Sequence, residues 1–373
     1  MTVVGITGSA GFFGWHLRCR LQTFDWDYRL ADRSTFSDPV ALDSFVSECD
    51  VVVHLAGVNR ANSEKEISAG NIGLAQGLAD AQSRTGSSFG IVYANTIKVD
   101  GPGVYGEAKA KAAETLSNTA ASCDSFFVDI LFPHLFGEFG APFYNSGVTT
   151  FAHQLAKDEP STVNEGHLEL IHVQDASQLI MDAIEKRETT QLRPPGRKIS
   201  VPETYELMTR LADYAKTGTI PHILEDEFEL RLFNTIRSQM WPDAYPFEIT
   251  RHADHRGAFF EVVRAWGQGQ TSISTTVPGV IRGEHYHLDK VERFAVISGE
   301  AKIRVRRLFT DEVIEFDVRG NEPCFIDMPP LCTHDITNTG DAELVTLFWS
   351  HDHFDPTHGD TYPLQVVGEE LPA

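Results

Sequence analysis

Two imidazoles one residue apart, a carboxylate five positions later and a third imidazole downstream make a set of groups able to hold a metal ion. They are His285, His287 and Glu292 in GVIRGEHYHLDKVERFAVISG (Gly279 to Gly299) and His334 in DMPPLCTHDITN. On a β-strand, alternation sends His285 and His287 to one face, about 7 Å apart. Glu292 is expected to return on the neighbouring strand after a turn around Leu288–Lys290. Three nitrogens and one oxygen converging inside a small barrel suit a divalent transition metal such as zinc. Cys332 lies two residues before His334 and reads as a structural thiol rather than a ligand.

A second reactive pair is Tyr105 and Lys109, four residues apart and so on one face of a helix. The Lys109 ammonium is expected to lower the Tyr105 phenol pKa and to hold the nicotinamide ribose of a cofactor. Tyr105 then serves as general acid or base on a carbonyl or hydroxyl, with Thr96 orienting the same oxygen. Upstream, GSAGFFG places Gly8, Gly11 and Gly14 between the strand-like TVVGITG and the helical WHLRCRL. Glycines there let the backbone approach a pyrophosphate, whose charge meets the amides of a helix N-terminus. YRLADR ends in Asp32 and Arg33. An acid at this point binds the ribose hydroxyls of NAD, and an arginine accommodates the extra phosphate of NADP. Both are present.

Positioning these groups takes two kinds of architecture. Strands at 2–7, 28–33, 50–57, 88–96 and 125–132 alternate with helical stretches around 64–82 and from Tyr105, which predicts a parallel sheet with right-handed crossovers. DVVVHLAG is nearly all apolar, as a strand covered on both faces must be. After Gly137 the alternation gives way to EFGAPFYNSG and LRPPGRK with helices between, read as a substrate-covering lobe; Ser200–Glu203 opens a helix to about Tyr214. MWPDAYPF, with two prolines, is the expected boundary between domains 1–243 and 244–373. Beyond it, short alternating runs with turns at HRG, SGE, RGNE and NTGD predict an all-β barrel.

A chain of 373 residues exceeds what one core holds, ~250–300 residues, which also argues for two domains. The net charge of −22 repels phosphate backbones and anionic lipid and excludes nucleic acid and membrane partners. No apolar run nears the ~18 residues that span a bilayer. The five cysteines lack C-x-x-C spacing, and the chain opens on a strand rather than a signal peptide. The expected location is the cytoplasm.

The His285–Gly299 spacing with Pro329, His334 and Asn338 resembles the two-part signature of the cupin family, departing from it at Leu331, where glycine is usual. The first ~240 residues resemble the extended short-chain dehydrogenase/reductases of nucleotide-linked sugars. The strings HLAGVNR, YGEAK, LFG, YNS, HRG and FDP resemble the bifunctional capsular-polysaccharide enzymes that join the two domains. The resemblance implies a Rossmann-type doubly wound parallel sheet followed by a cupin (jelly-roll) barrel. It implies NADPH-dependent reduction of the C4 ketone of a UDP-linked 4-keto-6-deoxy-HexNAc, C3 epimerisation beforehand in the zinc-binding cupin, a UDP-2-acetamido-2,6-dideoxy-L-talose product and a homodimer. It places Gly8, Gly11, Phe12, Phe13, Gly14, Asp32, Arg33, Leu55, Ala56, Gly57, Asn71 and Lys109 around the cofactor, with Arg33 at the 2′-phosphate. Thr96, Tyr105 and Lys109 become the catalytic triad, and His285, His287, Glu292 and His334 the metal ligands. Thr96 stands where serine is commoner, and Tyr286 where tryptophan is expected.

The chemistry is coherent, because a C4 ketone acidifies the C3 hydrogen and a metal or polar pocket stabilises the enediolate left behind. A NAD-recycling 4-epimerase or dehydratase shares the first-domain motifs. Dehydratases carry an Asp-Glu pair after the triad hydroxyl, however, and here Ile97 and Lys98 follow Thr96. A non-catalytic redox sensor would typically have lost Tyr105 or Lys109. A cupin whose metal is purely structural is the remaining alternative.

Overall fold

The computed structural model describes residues 2–24, 26–222, 226–254, 257–259, 261–265, 269–352 and 359–368. These divide into two compact units, the first comprising Met1–Phe136, Tyr144–Ser146 and Glu165–Val201, the second Gly137–Phe143, Gly147–Asn164 and Pro202–Ala373.

The first unit is built on strands β1 (Val3–Thr7), β2 (Asp27–Ala31), β3 (Val51–His54), β4 (Gly90–Thr96) and β5 (Phe127–Phe132), all parallel. With Thr190–Leu192 added at one edge, their order is β2-β1-β3-β4-β5. The connecting helices are α1 (Phe12–Leu21), α2 (Arg33–Ser37), α3 (Pro39–Ser47), α4 (Glu64–Thr85) and α5 (Val104–Ser122). One sheet face packs Val52, Ile91 and Tyr93 against Phe45, Leu78 and Leu116 of α3, α4 and α5. The other packs Ile6, Val53 and Val128 against Leu17 of α1 and Ile180 of the helix Val173–Lys186. All four residues of β3 are buried, as expected for a strand covered on both sides. Local chemistry sets the helix ends: Ser63 caps α4 by accepting from the Glu66 amide, and Gly86 ends it with φ 68°. Winding reverses between β1 and β3, so a crevice opens at their carboxyl ends, where ligands bind in such sheets.

The second unit holds two five-stranded antiparallel sheets. One orders Phe247–Glu248, Cys324–Met328, Glu292–Ser298, Leu344–Ser350 and Gln270–Thr276. The other orders Val313–Arg319, Glu300–Arg307, Cys332–Asn338, Ile281–Tyr286 and Tyr362–Pro363. Phe294, Val296, Ile303, Val305, Ile326 and Ile336 fill the space between them. The parallel sheet and the all-β barrel are the two architectures read from the sequence. The residues MWPDAYPF are packed rather than bare: the Trp241 ring lies 5.3 Å from Tyr245 and 5.6 Å from Phe316. His255, Arg256 and Phe354–Pro356, from the strings HRG and FDP, lie outside the described residues.

The helix Glu227–Met240 joins the barrel through Asp327, which is 4% exposed. Arg293 grips its carboxylate with Nε at 2.7 Å and Nη2 at 3.0 Å, while Arg237 of the helix approaches to 3.4 Å. The Arg293 guanidinium also lies 3.5 Å over the Phe325 ring and donates to the Gly218 carbonyl. Burial alone would raise the Asp327 carboxyl, but the two guanidiniums hold it below its ordinary value. Removing one partner of a buried pair leaves the others charged and dry, at a cost of ~3–5 kcal/mol. Asp327→Asn is therefore expected to lower the stability of this unit by about that amount, read from its urea transition. A loss under ~1 kcal/mol would mean that the guanidiniums are satisfied without the carboxylate.

Candidate active site and metal centre

His285, His287, Glu292 and His334 come together, with one ligand atom from each lying within 4.8 Å of the others. Glu292 Oε2 is 2.9 Å from His287 Nε2, 3.4 Å from His334 Nε2 and 4.0 Å from His285 Nε2. The route differs from the expectation in one respect: Glu292 does not return on the strand beside His285. It pairs with Met328 and Ser350 in one sheet, whereas His285 pairs with His334 in the other, so the cluster bridges the barrel interior. Pairing with Cys324–Met328 and Leu344–Ser350, rather than the length of the turn, draws Glu292 into the facing sheet.

A β-bulge aims His285. Ile281 pairs with Thr337 and Gly283 with Asp335, but His285 pairs with His334, so Glu284 is the extra residue. Its φ is 55° and that of Gly283 is 98°. Without the bulge, residue 285 would share the outward parity of Ile281, which is 44% exposed. A Cβ on Gly283 would stand 2.8 Å from the His334 carbonyl oxygen, so only glycine permits this strand approach. Leu331 occupies the left-handed region at φ 63°, where the family's usual glycine is at ease. Its fully buried side chain offsets that conformational cost, and its amide donates to the His287 carbonyl at 2.7 Å. Tyr286 faces away, its ring 5.3 Å from Tyr362.

The donor set fits a divalent cation. His334 Nε2 is buried and has no hydrogen-bond partner among the described residues, a cost that a bound cation would remove. Burial pushes the His334 imidazole down to about 4, favouring the neutral, ligating form. Burial would raise the Glu292 carboxyl, yet the imidazoles of His285, His287 and His334 gathered around it hold it well below its usual range. The Cys332 thiol is pushed up to about 12 by burial and belongs to the apolar core, as expected of a structural cysteine.

In the first unit, the glycine string forms a tight β1-to-α1 turn. Gly8 has φ 68°, and a Cβ on Gly14 would lie 2.3 Å from the Gly8 carbonyl oxygen. Phe12 and Phe13 open α1, and Phe13 packs on Phe132. Leu55, Ala56 and Gly57 follow β3, where Thr7 Oγ1 accepts from the Ala56 amide. Asn71 lies in α4 and clamps the Val58 backbone from both sides, its amide donating to the carbonyl and its oxygen accepting the N–H. Asp32 caps α2, and the Ser34 hydroxyl and Thr35 amide hold its carboxyl down to about 2. Arg33 beside it is exposed.

Thr96 ends β4, Tyr105 begins α5, and Lys109 follows one turn later. Gly106 lets α5 pass close to the segment that follows β4, since a Cβ there would be 2.3 Å from the Lys98 carbonyl oxygen. Burial raises the Tyr105 phenol to about 12, rather than the Lys109 charge lowering it as expected. Lys109 itself is 4% exposed, donates to the Ala94 carbonyl at 2.7 Å and lies 4.0 Å over the Tyr93 ring. Its desolvation brings its pKa down to about 7, against the pull of Asp129, so it carries at most part of its charge near neutrality. Asp129, buried on the same sheet face, accepts from Asn95 and Gln191, and Asn95 in turn accepts from the Thr96 amide. The sequence reading missed Asn95, Gly106 and Asp129; a lone acid inside the apolar run SFFVDILF was the available signal.

Residues 4–194 match the NAD dependent epimerase/dehydratase family, and residues 252–362 match the polysaccharide biosynthesis C-terminal domain. A protein of Pseudomonas aeruginosa named UDP-2-acetamido-2,6-beta-L-arabino-hexul-4-ose reductase is 29% identical over 366 residues, covering 97% of this chain and 98% of that protein. The crystal structure of the capsular polysaccharide assembling protein CapF from Staphylococcus aureus is 32% identical, with a TM-score of 0.63, and covers 98% of this chain and 100% of its own. A UDP-N-acetylglucosamine 4-epimerase from Methanobrevibacter ruminantium, 15% identical with a TM-score of 0.53 over 64% of this chain and 97% of its own, shares the fold. With more than half its length matched and a solved relative aligned end to end, the chain belongs to the NAD dependent epimerase/dehydratase family.

Proposed function

We propose that this chain is a bifunctional nucleotide-sugar enzyme, with residues 1–243 as an NADPH-dependent C4 ketone reductase and 244–373 as a metal-assisted C3 epimerase. The substrate is a UDP-linked 4-keto-6-deoxy-HexNAc, the product UDP-2-acetamido-2,6-dideoxy-L-talose for capsule or O-antigen synthesis, and the working form a cytoplasmic homodimer. The observation that carries this reading is the pairing, in one chain, of the Tyr105/Lys109 helix start with a buried three-histidine, one-glutamate cluster. The end-to-end match to a protein named as a hexul-4-ose reductase supports the substrate class.

NADPH would supply the hydride. Tyr105, protonated well above neutrality, gives its phenol proton to the C4 oxygen as the alkoxide forms. Thr96 orients that oxygen, and the tight Gly8–Gly14 turn receives the pyrophosphate. Asp32 spends its carboxylate on the α2 cap, which leaves exposed Arg33 to meet a 2′-phosphate. In the barrel, His285, His287, Glu292 and His334 would hold zinc, whose Lewis acidity stabilises negative charge on an adjacent oxygen.

The cofactor preference is tested by comparing kcat/KM for NADPH and NADH, which should favour NADPH and lose the preference in Arg33→Ala. Equal values for the wild type would assign the site to Asp32. Tyr105→Phe should cut ketone reduction ~10²–10⁴-fold with cofactor affinity retained. The wild-type rate should also fall as pH rises through about 7, because the Lys109 ammonium present below that value is lost above it. A rate flat from pH 6 to 8.5 would remove Lys109 charge from the mechanism. Replacing His285 or His334 with alanine should stop deuterium exchange at C3 in heavy water yet spare reduction of a substrate already epimerised. Wild-type exchange in a folded, metal-free variant would make the metal structural.

A further inference from the structure

The four metal-site residues do not fix their own geometry. His287 lies one residue beyond the end of the strand Ile281–Tyr286, and Glu292 opens the next strand, so the turn between them carries half the cluster. That turn is held from a segment about seventy residues later in the chain. One carboxylate oxygen of Asp360 accepts from the Leu288 amide at 2.7 Å, and the other accepts from the Asp289 and Lys290 amides, both at 2.9 Å. The Asp360 backbone carbonyl accepts from Nδ1 of His287. A carbonyl can only accept, so Nδ1 carries a proton, and Nε2 is the ring atom that faces Glu292 and the cluster.

The segment bearing Asp360 is itself fastened to the metal-bearing sheet. Tyr362 pairs with Tyr286 and Pro363 with His285, extending that sheet by one strand. The Leu364 amide donates to the Glu284 carbonyl, at the extra residue of the bulge, and Thr333 Oγ1 donates to the Leu364 carbonyl. Arg306 donates to the carbonyls of Gln365 and Val366. One short segment therefore touches the bulge before His285, the residue before His334 and the turn after His287.

We propose that Asp360 is a positioning residue for metal binding, setting the His287 tautomer and the path of the 287–292 turn. The inference rests on the reading of His285, His287, Glu292 and His334 as a metal centre. Asp360→Asn keeps the size of the side chain but replaces one acceptor oxygen with an N–H₂ group, which faces an amide it cannot accept from. Losing a group that orients a ligand typically costs 10–100-fold in metal affinity, so about that loss is expected.

The test titrates the full-length protein with Zn²⁺ against a chromophoric chelator, and with Co²⁺ while following its visible absorption. Asp360→Asn should bind Zn²⁺ ~10–100-fold more weakly and shift the Co²⁺ bands, which report ligand geometry. Asp360→Glu keeps the charge and both acceptors one methylene away. It should fall between the two, and it carries the test if Asp360→Asn does not fold. Variants that bind Zn²⁺ within twofold of wild type, with unchanged Co²⁺ bands, would overturn the role of Asp360 and leave the metal centre standing. A wild-type protein that takes up neither ion would overturn both.

Discussion

Asp327, held between Arg293 and Arg237, anchors the strand on which the histidine–glutamate cluster depends. Glu292 and Arg293 are neighbours on that strand, so alternation sends one inward to three imidazoles and the other outward to a carboxylate. The same covalent backbone thus places an acid inside the barrel and a cation outside it. Arg293 is 1% exposed and bound on every side, by Asp327, by the Phe325 ring and by the Gly218 carbonyl. Such a residue has little freedom to shift, and Glu292 inherits that fixity.

The first unit solves a different problem, which is to hold a lysine in a dry place. Desolvation lowers the cost of Lys109 losing its proton, while Asp129 on the same sheet face opposes that loss. Balanced opposing effects leave a group whose charge responds to small changes nearby, such as the arrival of an anionic cofactor. The same burial keeps the Tyr105 phenol protonated, which suits a proton donor.

Much of this was legible in the sequence because it rests on local periodicity. The apolar run of β3 and the glycine turn before α1 are short-range patterns, and the structure carries both. The four cluster residues were read from their spacing together with the resemblance to the cupin signature, and the structure brings them together. What spacing could not show was which sheet each strand joins: Glu292 sits five residues from His287 yet in the opposite sheet, because pairing is decided by distant strands such as Cys324–Met328. The effect of Lys109 on Tyr105 was likewise misjudged, since charge proximity is visible in a helical spacing and depth of burial is not. Asp360 left no trace in the motif, because its contacts are to backbone amides that any residue type would supply.

The bulge at Glu284 ties the site to chain length as well as to residue identity. Residues before it and after it obey opposite parities, so the six residues from Ile281 to Tyr286 work only as a set of that length. Deleting Glu284 would leave every ligand letter in place and yet turn His285 to the outside of the barrel. The surface loops of the same domain carry no such restriction. Among homologous sequences, a search that tolerates gaps between Gly279 and His285 would accept chains unable to assemble the cluster. Insertions and deletions, rather than substitutions, are the changes to inspect when deciding which relatives retain the centre.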